Sequence, residues 1–135
     1  MKYLLDTNVC VHVLRHPNGI VADRFFAVHA ADMAISVVTK AELLVGPLRK
    51  KSHAGEYAKV AKFIDMLPIL PFDGPVVDQF ASIAARLLDI GKPGDGLDLQ
   101  IAATAIHHDL ILVTHNTRDF AHIDGIRLED WQNEN

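Results

Sequence analysis

The chain has 135 residues, 50% of them hydrophobic and 22% charged, which describes a single domain able to bury a full core and excludes disorder as its main state. Thirteen Lys plus Arg against seventeen Asp plus Glu leave a formal net charge of −4, and an even spread of that charge would argue against a nucleic-acid partner. The one cysteine, Cys10, excludes an internal disulfide framework and a cysteine-rich zinc site, and its neighbours Val9 and Val11 favour a buried, inert thiol.

The apolar runs, such as Ile111-Leu112-Val113 and Leu43-Leu44-Val45, fall far short of the roughly 20 residues a membrane-crossing helix needs. Asp6 interrupts the N-terminal apolar run before a signal-peptide core can form, so a cytoplasmic address without membrane contact is expected. No repeat, low-complexity tract or linker divides the sequence, and residues 1–135 are read as one domain.

Tyr3-Leu4-Leu5 predicts a strand that ends in the cap residues Asp6-Thr7-Asn8, and Val9, Val11, Val13 and Leu14 then predict a short helix before Pro17. Met33 to Val38 is a second strand-like run. Thr39 precedes a helix through Lys40-Ala41-Glu42-Leu43-Leu44, with Gly46-Pro47 as a kink or break. Val60, Phe63, Ile64 and Leu67 fall at helical spacing, and Pro68 closes that helix ahead of a brief strand at Ile69-Leu70.

Val76, Phe80, Ile83 and Leu87 form the stripe of an amphipathic helix stopped by Gly91. After a Gly-rich loop from Lys92 to Leu97, Asp98 is expected to cap a helix through Ile101, Ala102, Ala105 and Ile106. Leu110 to Val113 predicts a strand ending at Thr114-His115-Asn116, and Ile126-Arg127-Leu128 one more short strand. Strands alternating with helices at these spacings predict an α/β fold whose mainly parallel sheet is covered on both faces.

In such a sheet the ligand crevice lies beyond the carboxyl ends of the strands, so acids placed just after strands carry the first suspicion of chemistry. Asp6, Glu42, Asp98 and Asp119 all sit where a strand hands over to a helix or loop, or in the turns that follow. Taken singly, each reads as a cap, a turn former or a solvated helix residue. Taken jointly, oxygen ligands from four separate segments make a cage for a hard divalent cation such as Mg²⁺ or Mn²⁺.

Charge is also unevenly spread. Lys40, Arg49, Lys50, Lys51, Lys59 and Lys62 face only Glu42 and Glu56 in the same stretch, which allows a local basic surface, although a solvated helix face is the commoner fate of such a run.

Four segments occur in order: Leu5-Asp6-Thr7-Asn8; Ser36-x-x-Thr39-x-x-Glu42-Leu43-x-x-Gly46; Asp98-x-x-Ile101-Ala102-Ala103-x-Ala105; and Leu112-Val113-Thr114-x-Asn116-Thr117-Arg118-Asp119-Phe120. In this the chain resembles the PIN-domain ribonucleases. Its closing Ile123-x-Gly125-Ile126-Arg127-Leu128-Glu129-Asp130-Trp131 is similar to the end of the VapC toxins of type II toxin–antitoxin modules.

The resemblance implies a Mg²⁺-dependent endoribonuclease, with Mn²⁺ able to substitute, that hydrolyses structured RNA, typically tRNA, through metal-activated water. It assigns Asp6 and Asp98 as principal ligands, Glu42 and Asp119 as completing the shell, and Thr114 and Asn116 as orienting water or phosphate. It further implies silencing by a cognate VapB antitoxin and a homodimer. Where relatives carry Pro-Ile-Gly-x-x-Asp, this chain has Pro93-Gly94-Asp95-Gly96-Leu97-Asp98, and the added Asp95 is read as a solvated loop acid.

His107-His108-Asp109 contains the His-Asp pair of metal-dependent phosphohydrolases, but the strands at Leu4 and Leu112 contradict the all-helical scaffold that class requires. A haloacid-type phosphatase needs a second Asp at position 8, which is Asn8. The remaining alternative is a PIN-like module that binds RNA or protein without cutting.

Overall fold

In the computed structural model, which describes residues 1–132, the elements run β1 (Tyr3–Leu5), α1 (Thr7–Arg15), α2 (Ile20–Ala27), β2 (Met33–Ser36), α3 (Val37–Leu48), α4 (Glu56–Asp65) and β3 (Ile69–Leu70). They continue through α5 (Gly74–Asp89), α6 (Gly96–His107), β4 (Ile111–Val113), α7 (Thr117–Phe120) and β5 (Leu128–Glu129). The strands form one sheet in the order β3-β2-β1-β4-β5, and every ladder is parallel.

Successive strand residues point to opposite faces. Tyr3 and Leu5 enter a core with Val13, Phe25, Phe63 and Trp131, while Leu4 enters a second core with Ile83, Leu87, Ile101 and Ala102. Both faces of the sheet are thus covered, which is why its strands read as unbroken apolar runs rather than alternating ones. Leu4 and Leu5 are fully buried, each contributing roughly 1.5–3 kcal/mol of burial free energy.

The expected α/β class holds, and several boundaries move. β2 stops at Ser36 instead of Val38, because Ser36 Oγ accepts the Thr39 N–H at 3.0 Å and caps α3, which begins at Val37 rather than after Thr39. Gly46-Pro47 does not break α3, which continues to Leu48. Pro47 lies in the final turn, where its missing N–H forfeits a single intrahelical bond and its ring is buried. Residues Ile20–Ala27 form a helix the apolar spacing of Val21, Ala22 and Phe25 could have signalled. The final strand is shifted to Leu128–Glu129.

Two helix ends show why their sequences stop. Gly91 follows α5 at φ 71°, with its N–H on the Leu88 carbonyl (3.1 Å) and Lys92 N–H on Leu87 (2.8 Å), the paired bonds of a Schellman stop. The same pattern ends α6: Asp109 N–H donates to Ile106 and Leu110 N–H to Ala105. Asp109 holds φ 56° there, and Arg127 donates to both its carbonyl (2.7 Å) and its carboxylate (3.0 Å). His107-His108-Asp109 is therefore a helix terminus. Cys10 is buried, and burial pushes its thiol pKa up.

Candidate metal centre at the sheet switch point

The strand order reverses direction between β1 and β4, the point at which an open parallel sheet leaves a crevice at its carboxyl edge. The register pairs Leu5 with Val113, so the next residues, Asp6 and Thr114, emerge side by side. Asp6 N–H donates to the Val113 carbonyl at 2.9 Å, and Thr114 Oγ1 donates to Asp6 Oδ2 at 2.9 Å.

Asp6 is also the N-cap of α1, its Oδ1 accepting the Thr7 N–H at 2.8 Å. Each carboxylate oxygen accepts one hydrogen bond and retains a lone pair for another partner. Asp6 is only 4% exposed, and its pKa is raised, first by burial. The bonds from Thr114 and Thr7 oppose that shift, and the charges of Glu42 and Asp119 add to it.

Glu42 reaches the same edge from α3, half-buried, its Oε1 accepting a 2.7 Å hydrogen bond from Thr7 Oγ1. Asp98 comes from the first turn of α6. Its carboxyl is raised to about 6, first by burial and then by the charges of Asp6, Asp95, Asp119 and Glu42. Asp119, on α7, is exposed, but its charge acts on both Asp6 and Asp98. The fold thus brings the four predicted acids within electrostatic reach of one another.

Two expectations change in detail. The cap of α6 is Asp95, not Asp98: Asp95 Oδ1 accepts the N–H groups of Leu97 (2.9 Å) and Asp98 (3.1 Å), which leaves the Asp98 carboxylate uncommitted. Thr114 is fully buried, with its one hydroxyl proton given to Asp6 and the Asn116 N–H donated to its oxygen at 3.1 Å. Its contact is with Asp6, where sequence reasoning expected water or phosphate. Asn116 is exposed, and His115, the turn histidine beside it, lies 3.1 Å from Asp130.

The donor chemistry fits a hard divalent cation. All four candidates offer carboxylate oxygen, and among the described residues none of them forms an ion pair with Lys, Arg or His. Carboxylates about 4 Å apart repel by roughly 4 kcal/mol at an effective dielectric near 20, a cost that a bound cation offsets. Among the described residues no three His, Cys, Asp or Glu side chains are gathered tightly enough to hold an ion as they stand.

From Glu42 a trough of about 610 Å³ runs between α1, α3 and α4, walled by Val11, Leu14, Leu43 and Val60. It adjoins an apolar hollow of about 320 Å³ lined by Val13, Phe26, Phe63 and Met66. Phe63 serves the core as well, being buried and stacked on Phe25 at 5.3 Å, whereas Phe26 is 65% exposed. The basic run divides: Lys59 and Lys62 border the hollow, with Lys59 Nζ on the Leu14 carbonyl at 3.2 Å, and Arg49, Lys50 and Lys51 lie exposed beyond α3.

The PIN domain family profile matches residues 3–126 of this chain. The chain is similar to a tRNA(fMet)-specific endonuclease VapC of Shigella flexneri, at 33% identity over 131 residues that cover 97% of this chain and 98% of that protein. It is equally similar, at 33% identity and the same coverage, to a ribonuclease VapC2 of Haemophilus influenzae. Among solved structures, DNA-bound VapBC from Salmonella typhimurium superposes with a TM-score of 0.90 at 34% identity, covering 97% of this chain and 98% of that one. VapBC2 from Rickettsia felis, bound to a DNA fragment from its promoter, gives 0.88 at 28% identity, covering 97% and 99%.

Proposed function

Because this chain belongs to the PIN-domain family and to its VapC ribonucleases, the toxin components of VapBC modules, we propose that its RNA-cleaving centre is the carboxylate group of Asp6, Glu42, Asp98 and Asp119 loaded with Mg²⁺. The observation that carries this reading is Asp98, a half-buried carboxyl raised to about 6 by burial and then by four neighbouring acids, with no cationic side chain paired to it among the described residues. When bound, the cation supplies charge that polarises the scissile phosphate and makes water acidic enough to attack at neutral pH.

The chain's own groups do the rest. Asp6, fixed by Thr114 and Thr7, and Asp98, freed of capping by Asp95, would hold the ion; Glu42 and Asp119 would complete its surroundings or orient water. Asn116, exposed at the mouth, would meet the RNA. Arg49, Lys50 and Lys51 would offset the backbone charge of the substrate outside the acidic centre.

The substrate is proposed to be tRNA, on the strength of the relative named as a tRNA(fMet)-specific endonuclease. A cognate VapB antitoxin is the partner expected of a member of this family, and we place its silencing segment in the trough, with a basic residue reaching the carboxylates. A homodimer is proposed as the toxin's own assembly. Incubating purified protein with total tRNA and Mg²⁺, against a chelator control, tests the reading: cation-dependent cleavage is expected, and intact RNA in both arms would favour a PIN-like binding module instead.

A further inference from the structure

Thr7 touches two of the four acids at once. Its N–H donates to Asp6 Oδ1 at 2.8 Å, and its hydroxyl donates to Glu42 Oε1 at 2.7 Å, across 35 residues of sequence. That hydroxyl also lies 3.0 Å from Thr39 Oγ1, and Thr39 Oγ1 accepts from Ser36 Oγ at 3.4 Å.

Proton counting fixes the direction of this chain. A hydroxyl has one proton and two lone pairs, and an ionised carboxylate can only accept. The Thr7 proton is committed to Glu42, so Thr39 must donate to Thr7, and its own oxygen is left to accept from Ser36. Ser36 Oγ also receives the Thr39 N–H at 3.0 Å, which anchors the chain to the first turn of α3. Ser36 and Thr39 are buried at 1% and 0% exposure, where bulk water cannot substitute for a missing partner.

We propose that Thr7 is a positioning residue of the cation centre, holding Glu42 in register with Asp6 through a directed Ser36–Thr39–Thr7 hydroxyl chain. The proposal rests on the reading of Glu42 as part of that centre. Asp6 leaves the end of β1 and Glu42 leaves a helix that follows β2, and backbone pairing alone does not fix the distance between their carboxylates. One residue bonded to both does. A Glu side chain has three rotatable bonds, and a hydroxyl at 2.7 Å selects among its rotamers before any ion arrives.

The test uses Thr7→Val, which removes the hydroxyl but keeps a branched side chain and the N–H to Asp6, and Thr7→Ser, which restores the hydroxyl. Full-length protein is titrated with Mn²⁺ alone, read by calorimetry, and assayed separately for cleavage of total tRNA. Thr7→Val is expected to weaken Mn²⁺ binding by about tenfold or more, the usual loss when a group orienting a ligand is removed. kcat should fall with it while KM for RNA moves little, and Thr7→Ser should sit near wild type. In a Glu42→Gln background Thr7→Val should have no further effect. Wild-type Mn²⁺ affinity in Thr7→Val, a Ser variant as impaired as the Val variant, or an undiminished effect in the Gln background would each overturn the proposal. If Thr7→Val loses its cooperative melt, Thr39→Val is read in its place, with weaker Mn²⁺ binding expected and wild-type affinity overturning. A wild-type protein that binds Mn²⁺ but leaves RNA intact would count against the nuclease centre, and the Mn²⁺ comparison would still decide the role of Thr7.

Discussion

Asp95 Oδ1 accepts the backbone N–H of Asp98 at 3.1 Å, so the acid that starts α6 and the acid that faces the candidate metal centre are different residues three positions apart. Both carry negative charge into the same region, and Asp95 is among the causes that raise the Asp98 carboxyl. The arrangement separates two jobs that a single aspartate could do only by compromise. Capping directs a carboxylate toward its own helix, whereas binding a cation directs it away.

The separation is testable by substitution. Asp95→Ala should cost about 1 kcal/mol of stability, the usual loss of a helix cap, and leave cation-dependent cleavage measurable. Asp98→Asn should abolish cleavage with little loss of stability. Denaturant melts alongside an RNA assay check both, and full activity in Asp98→Asn would remove that residue from the centre.

A raised carboxyl pKa reverses the usual dependence of an acid's contribution on pH. Between the ordinary carboxylate range near pH 4 and about 6, folded Asp98 keeps a proton that the unfolded chain has released. The metal-free protein should therefore lose stability as pH rises through that window, and Asp98→Asn should flatten the loss. Binding of Mg²⁺ must displace the proton, so its affinity should fall as pH drops below about 6. Urea midpoints and calorimetric titrations across this range measure the two effects.

Asp6 lies nearly buried beside other acids, and its pKa too is raised. Asp6→Asn should leave the metal-free protein about as stable as wild type, because the loss of one repelling charge offsets the loss of an acceptor for the Thr114 hydroxyl, while the amide oxygen can still accept the Thr7 N–H. Mg²⁺ should raise wild-type stability by roughly 2.7 kcal/mol at a hundredfold excess over its dissociation constant, and raise the variant's by much less. Thermal melts in chelator and in Mg²⁺ decide this, and equal shifts in both proteins would exclude Asp6 as a ligand.

The antitoxin segment proposed for the trough is expected to extend into the adjoining apolar hollow, which offers a way to separate antitoxin binding from folding. Phe63 is unsuitable for the purpose because it stacks in the core, but Phe26 and Met66 line the same hollow while 65% and 42% exposed. Phe26→Asp and Met66→Asp should each weaken the cognate antitoxin complex about tenfold or more, with the melting curve of the free toxin nearly unchanged. Unchanged affinity in both would move the antitoxin to another surface.

Replacing Arg49, Lys50 and Lys51 together by Gln should weaken RNA binding and shallow its dependence on salt, without altering cation affinity. An unchanged slope of log K against log salt would make the segment a solvated turn.

Much of this protein is legible locally. Tyr3-Leu4-Leu5 and Leu110 to Val113 announce strands buried on both sides, and Val76, Phe80, Ile83 and Leu87 announce α5 by a spacing that any helix imposes on its inner face. Gly91 marks its end because a Schellman stop needs positive φ there. The acids after the strands are visible as well, since strand ends and turn residues are encoded within a few positions of one another.

What the tertiary structure decided depends on partners far apart in sequence. Asp6 meets Thr114 across 108 residues only because a parallel register sets Leu5 beside Val113, and Glu42 meets Thr7 across 35 because α1 and α3 leave adjacent strands at the same edge. Even the choice of Asp95 over Asp98 as cap escaped the local signal, as both are aspartates near one helix start and the crowding of acids around Asp98 comes from other segments. Periodicity fixes which way a side chain faces; register and strand order fix what it faces, and those are properties of the whole sheet.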